Sequence, residues 1–240
     1  MRYQAFATDY DGTLAHHASV SDRALAALDR LRKSGRRLIM VTGREVEDLQ
    51  RVFPHTNLFD IIVAENGAVL FYPFNGQIKP LHNPPPKAFV DELRARRVPD
   101  LSVGHVIVAV FEPSERIAFE LIKNLRLELE IIFNKGAVMV LPTGVNKATG
   151  LTTALKELKI LPANVVGVGD AENDHAFLRL CGCGVAVKNA LPSLKEHADL
   201  VTNGVSSDGV VELIDRLIAD DLSGVTPARR NKALTTFERL

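Results

Sequence analysis

Three short apolar runs in this chain stop at polar residues of an unusual kind. Residues 3–8 lead into Asp9, residues 37–41 into Thr42-Gly43-Arg44, and residues 165–168 into Gly169-Asp170. Each run is brief, partly β-branched or aromatic, and followed by a stretch of helical period. Strands buried on both faces of a parallel sheet read this way, because crossover helices cover both sides. Residues 21–34 carry the helical period, with Ser21 as N-cap, Leu25, Leu28 and Leu31 on one stripe, and Gly35 just past the end. Residues 60–64, 185–187 and 199–201 supply further strands, and 210–219 an apolar helix. The alternation predicts an α/β fold, a Rossmann-like doubly wound parallel sheet.

Between residues 82 and 142 the alternation breaks. Pro84-Pro85-Pro86 can continue neither a helix nor a central strand. Beyond it the periodicity predicts a helix over 87–97, one strand over 103–111 and an amphipathic helix over 114–127. A hairpin then pairs 130–133 with 137–141 across Asn134-Lys135-Gly136. The chain therefore divides into a core, residues 1–81 and 143–219, and a small α+β insert, residues 82–142, that leaves the core and returns to it. Residues 220–240 carry Pro227, Arg229, Arg230 and Lys232, and are expected to form a terminal helix or a linker into a further domain.

The 240 residues hold 29 basic and 29 acidic side chains, a formal net charge of zero. That balance argues against a protein that neutralises a nucleic-acid backbone or an anionic membrane. The longest apolar stretch, residues 106–111, is far short of the roughly 18 residues a membrane span needs. Cys181 and Cys183 are too close for an unstrained disulfide and lack the spacing of a zinc knuckle. They are expected as reduced core residues, and with no secretory leader in sight the expected compartment is the cytoplasm.

In an open α/β sheet, ligands gather beyond the carboxyl ends of the strands. Asp9-Tyr10-Asp11-Gly12-Thr13 sits at one such end. Two carboxylates one residue apart repel each other unless a cation or a reaction justifies them. A divalent cation bridging Asp9 to a phosphate relieves the repulsion, one carboxylate then attacking phosphorus while the other handles the leaving-group proton. Thr42 and Gly43 precede a helix N-terminus, which favours an anion. Lys147 also precedes a helix and can aim a charge at the same place. Gly169-Asp170-Ala171-Glu172-Asn173-Asp174 supplies oxygen ligands for a hard cation such as Mg²⁺. His16, His17 and His175 have no metal-site spacing.

Asp pair, Thr, Lys and acidic loop, in that chain order, resemble the four signature motifs of the haloacid-dehalogenase superfamily of phosphohydrolases. An insert between the second and third motifs is similar to the Cof-type, or IIB, branch. Glu65-Asn66-Gly67-Ala68 and residues 184–190 look like that branch too, while Phe177 stands where it often has Met. The resemblance spans residues 5–215. It implies Asp9 as the nucleophile that becomes an aspartyl phosphate, and Asp11 as general acid and base. Thr42, Gly43, Lys147 and Asn173 would hold the phosphoryl oxygens, with Arg44 and Asp174 in support. Mg²⁺ would be bound by Asp9, Asp170 and the backbone carbonyl of Asp11. The implied reaction is hydrolysis of a small phosphorylated metabolite, a sugar phosphate or phosphoglycolate-like monoester, with the insert as a specificity cap. A phosphomutase of the phosphomannomutase type, or a module sensing a phosphorylated ligand for an attached domain, remain the alternatives.

Overall fold

Buried apolar runs become the central strands, and the helices between them carry one apolar stripe each. The computed structural model describes residues 1–17, 19–134 and 136–227. From the N-terminus come β1 (Ala5–Thr8), α1 (Asp22–Lys33), β2 (Arg37–Val41), α2 (Val46–Val52) and β3 (Ile61–Ala64). Then follow β4 (Val69–Tyr72), β5 (Gln77–Pro80), α3 (Lys87–Ala95), β6 (Ser102–Val103) and β7 (Val108–Phe111). After these lie α4 (Glu115–Asn124), β8 (Leu129–Asn134), β9 (Ala137–Pro142), α5 (Lys147–Leu158) and β10 (Val165–Gly169). The chain continues through α6 (His175–Leu180), β11 (Cys183–Ala186), α7 (Pro192–His197), β12 (Leu200–Val201) and α8 (Ser206–Asp220).

The larger sheet has the order β12-β11-β10-β1-β2-β3-β4-β5, parallel from β12 to β3 and antiparallel beyond. Every residue of β1, β3 and β10 is buried, as strands covered on both faces must be. The chain order reverses across β1, which lies between β10 and β2, so the crevice beyond its carboxyl end is the topological switch point. The antiparallel β4–β5 extension and helix α7 are elements that the apolar runs do not announce, while α2 is the helix expected after Thr42 and Gly43.

The insert forms a second, antiparallel sheet, β6-β7-β9-β8, with its own apolar core. Val108 and Val110 of β7 and Val138 and Val140 of β9 face Phe89 and Leu93 of α3 and Ala118 and Leu121 of α4. Side chains alternate along a strand, so Ala109, Phe111, Ala137 and Met139 face the other way, toward the larger sheet's crevice.

One sequence expectation needs correcting. Residues 103–111 are not a single strand: the chain leaves the insert's sheet between β6 and β7, and Val106 and Ile107 pack into the main core instead. Cys181 ends α6 and Cys183 opens β11, and both are buried. Of the tail, α8 runs to Asp220, and Leu222 and Val225 pack on the core; residues 228–240, where a terminal helix or linker was expected, lie outside the described residues. No helix among the described residues is long and apolar enough to cross a membrane.

Candidate active site

Asp9 follows β1 directly and is buried at the switch point. Lys147 reaches it from the first position of α5, and the helix start is tightly fixed. Asn146 accepts from the backbone N–H groups of Ala148 and Thr149 at 3.0 and 3.2 Å, while the Thr149 hydroxyl accepts from the Asn146 N–H at 3.0 Å. This reciprocal cap satisfies orphan donors and fixes where Lys147 begins. The Lys147 ammonium donates to Asp9 Oδ1 and to Asp174 Oδ1, each at 2.6 Å, and lies 5.9 Å from the ring centre of Phe177.

The other oxygen of Asp174 accepts from the N–H groups of Asp170 and Ala171 at 2.8 and 2.9 Å. Asp174 thus ties the acidic loop after β10 to Lys147. Asp170 Oδ1 in turn accepts from the Thr13 hydroxyl at 3.0 Å, joining that loop to the one after β1. Oxygens of Asp9, Asp170 and Asp174 lie within 4.8 Å of one another, all three residues buried.

Three carboxylates here face a single ammonium. Burial, and then the charge of Asp174, push the Asp9 carboxyl up to about 8, although Lys147 pulls the other way. Burial works against the charge on Lys147, but Asp174 and Asp9 outweigh it and its pKa is raised, so it stays cationic. The cluster is short of positive charge, and its donors are hard oxygens. Both features fit a divalent cation of the Mg²⁺ kind.

On the opposite side of Asp9, Thr42 is buried after β2, its hydroxyl accepting from the Arg44 N–H at 3.1 Å. Arg44 Nε and Nη2 hold both oxygens of Asp11 at 2.7 and 2.8 Å, and Nη1 reaches Asp48 at 2.5 Å. The hydrogen bond to Asp11 is the main cause that raises the Arg44 pKa. Asn173 Nδ2 donates to Asn66 Oδ1 at 3.0 Å, beside Gly43. The remaining amide atoms of that pair, Asn66 Nδ2 and Asn173 Oδ1, are buried with no partner.

The structure thus brings Asp9, Lys147, Asp170 and Asp174 into contact and sets Thr42, Gly43 and Asn173 around them. The Asp11 carboxylate stands apart from the acidic cluster, held by Arg44. A cavity of about 600 Å³ opens between the sheets, with Asp9, Asp11 and Gly43 at its base. Its walls include Glu45, Glu47, Asp48 and Arg51 from around α2, and Ser102 and Met139 from the insert. The sequence reading assigned none of these wall residues, because only the seating of the insert over α2 brings them together. Thr13 and Asn66 stand inside motifs of the sequence, two residues after Asp11 and directly before Gly67, and that nearness is the available signal.

A family model for haloacid dehalogenase-like hydrolases matches residues 6–98 and 99–214. Phosphoglycolate phosphatase 2 of Saccharolobus solfataricus is 29% identical over 223 residues, 89% of this chain and 91% of the relative. Phosphoglycolate phosphatase of Methanothermobacter thermautotrophicus is 29% identical over 224 residues, 90% of this chain and 99% of the relative. Among solved structures, a haloacid dehalogenase-like hydrolase from Bacteroides thetaiotaomicron superposes with a TM-score of 0.76 at 20% identity, covering 90% of this chain and 99% of that one. A sugar phosphatase of subclass IIB superposes with a TM-score of 0.72 at 20% identity, covering 89% and 98%. With the family match running through both sheets and all four motif loops, the chain belongs to the haloacid dehalogenase-like hydrolases.

Proposed function

We propose that the chain hydrolyses a small phosphorylated metabolite, a sugar phosphate or phosphoglycolate-like monoester, through a phosphoryl group carried on Asp9. The observation that carries this reading is the contact of Lys147 with both Asp9 and Asp174 at the base of a cavity. In that arrangement an Asp9 oxygen attacks phosphorus and the bond to the leaving oxygen breaks. Asp11 gives its proton to that oxygen, then takes a proton from water as the water oxygen attacks phosphorus. The phosphorus–Asp9 bond breaks and inorganic phosphate leaves.

Lys147 and the Thr42 hydroxyl stabilise the charge spread over the phosphoryl oxygens, with Gly43 leaving room for them, and Asn173 joins them when its Nδ2, which donates to Asn66 here, turns to a phosphoryl oxygen. Mg²⁺, held by Asp9, Asp170 and the backbone carbonyl of Asp11, would add fixed positive charge to the same oxygens. Asp174 keeps Lys147 and the Asp170 loop in place. Both oxygens of Asp11 are engaged by Arg44 here, so one of those bonds opens when Asp11 takes up its proton-transfer role.

Residues 82–142 act as the cap that chooses the leaving group. Ala109, Phe111, Ala137 and Met139 give its cavity face an apolar surface against the polar wall around α2. A volume of about 600 Å³ suits a small organic phosphate.

The test is phosphate release from an aryl phosphate with and without Mg²⁺, in the wild type and in Asp9→Asn. The reading requires turnover that depends on Mg²⁺ and disappears in the variant. Full turnover in Asp9→Asn would remove Asp9 from its role, and transfer to a second sugar hydroxyl in place of phosphate release would make the protein a mutase.

A further inference from the structure

Among the described residues, the chemistry above leaves one fully buried carboxylate unused, that of Glu65. Glu65 follows β3 at φ 51°, and Asn66 and Gly67 continue at 55° and 106°. The left-handed region is disfavoured for residues bearing a Cβ, so two such residues in succession persist only where their surroundings hold them. Glu65 Oε1 accepts from the N–H of His105 at 2.8 Å, and Oε2 from those of Val106 and Ile107 at 2.7 and 2.8 Å. Three consecutive backbone donors thus close on one carboxylate. Gly104 permits the approach, since a Cβ there would lie 2.7 Å from Oε1.

The segment so gripped is the excursion between β6 and β7, and Val106 and Ile107 belong to the main core. This nest therefore fastens the cap at a point well away from its two chain crossings. Beside the nest, Ser102 donates to Glu45 and the His105 ring meets Glu47 at 2.8 Å, so a shift of this segment moves the cavity wall. The same turn reaches the phosphoryl side. The Asn66 N–H donates to the Thr42 carbonyl at 3.0 Å, and Gly67 packs against the Asn146 carbonyl that precedes Lys147.

We infer that Glu65 is a latch: a positioning residue that holds the cap in register over Asp9, so that the leaving-group cavity stands preformed before substrate arrives. This rests on reading residues 82–142 as the cap of a phosphatase, but its main readout needs no turnover. Amide hydrogen exchange on the metal-free, full-length protein should find His105, Val106 and Ile107 as protected as the amides of β2 and β3. Glu65→Gln keeps the shape, yet leaves one acceptor oxygen and turns an NH₂ toward N–H donors. Exchange at those three amides should accelerate about 30-fold or more, with β1 and β2 unchanged. In the same variant the KM for an aryl phosphate should rise severalfold with kcat little altered, and Gly104→Ala, which wedges the nest from the cap side, should do the same.

Rapid exchange at the three amides in the wild type would overturn the latch. So would variants in which exchange quickens equally throughout the core, or in which exchange and KM both stay as in the wild type. A wild type with protected amides and no turnover would instead sink the phosphatase reading and leave the fastening in place.

Discussion

Replacing Asp9 by Asn should make the metal-free protein more stable, by an amount that grows with pH. Asn keeps the shape and an oxygen for the Lys147 ammonium, and Lys147 retains its bond to Asp174 at 2.6 Å. What it removes is a carboxylate whose folded pKa, about 8, stands far above its ordinary value of 3.8. The folded chain therefore keeps a proton that the unfolded chain has released. Stability tied to that proton is complete below about pH 4 and is lost as pH rises toward about 8. One proton of difference corresponds to about 1.4 kcal/mol per pH unit, so the gap between variant and wild type should widen by roughly 3 kcal/mol from pH 5 to pH 7. Urea unfolding in EDTA at both pH values measures this directly. Saturating Mg²⁺ should shrink the gap, because a cation that binds only the folded wild type stabilises it. A gap independent of pH, or a variant less stable than wild type at pH 7 without metal, would refute the electrostatic account of the cluster.

Two other outcomes follow from the same physics. Gly67→Ala places a Cβ 2.0 Å from the Asn146 carbonyl oxygen at a φ of 106°, and should cost at least about 3 kcal/mol in denaturant unfolding. A loss below about 1 kcal/mol would mean that the turn and α5 separate easily. Asp221 accepts from the N–H groups of Arg2 and Tyr3 and from Arg36; although burial opposes it, these donors lower its pKa. A depressed carboxylate contributes stability above its unfolded pKa and loses it as pH falls through the folded value. Asp221→Asn should therefore lower the melting temperature near neutral pH, with a deficit that shrinks as pH falls below the ordinary carboxylate range; a deficit that stays constant with pH would contradict the linkage.

The larger sheet and the candidate site at its edge could be read from the sequence because their logic is local. Parallel strands buried on both faces appear as short apolar runs, and the residues that end them, Asp9, Thr42 and Asp170, are placed by the sheet itself. Lys147 was equally readable, since Asn146 and Thr149 cap the helix it begins. Tertiary contacts decided the rest. Residues 103–111 have the apolar density of one strand, but a carboxylate some forty positions earlier draws three of their amides into the core. The pairing of Arg44 with Asp11 and the walls of the cavity depend on how the two sheets sit together, which no local period encodes. Strands β4 and β5 escaped because Val69–Tyr72 follows the left-handed turn at once and Gln77–Pro80 is mostly polar at the sheet's edge.

The central claim is that Asp9 carries the phosphoryl group. Quenching the enzyme in acid during turnover of an aryl phosphate with Mg²⁺, then reducing with borohydride, converts an aspartyl phosphate to homoserine that peptide mass spectrometry can locate. The account predicts homoserine at position 9, absent without substrate and absent in Asp9→Asn. Turnover with the mark on another residue, or with no acyl phosphate at any residue, would contradict it.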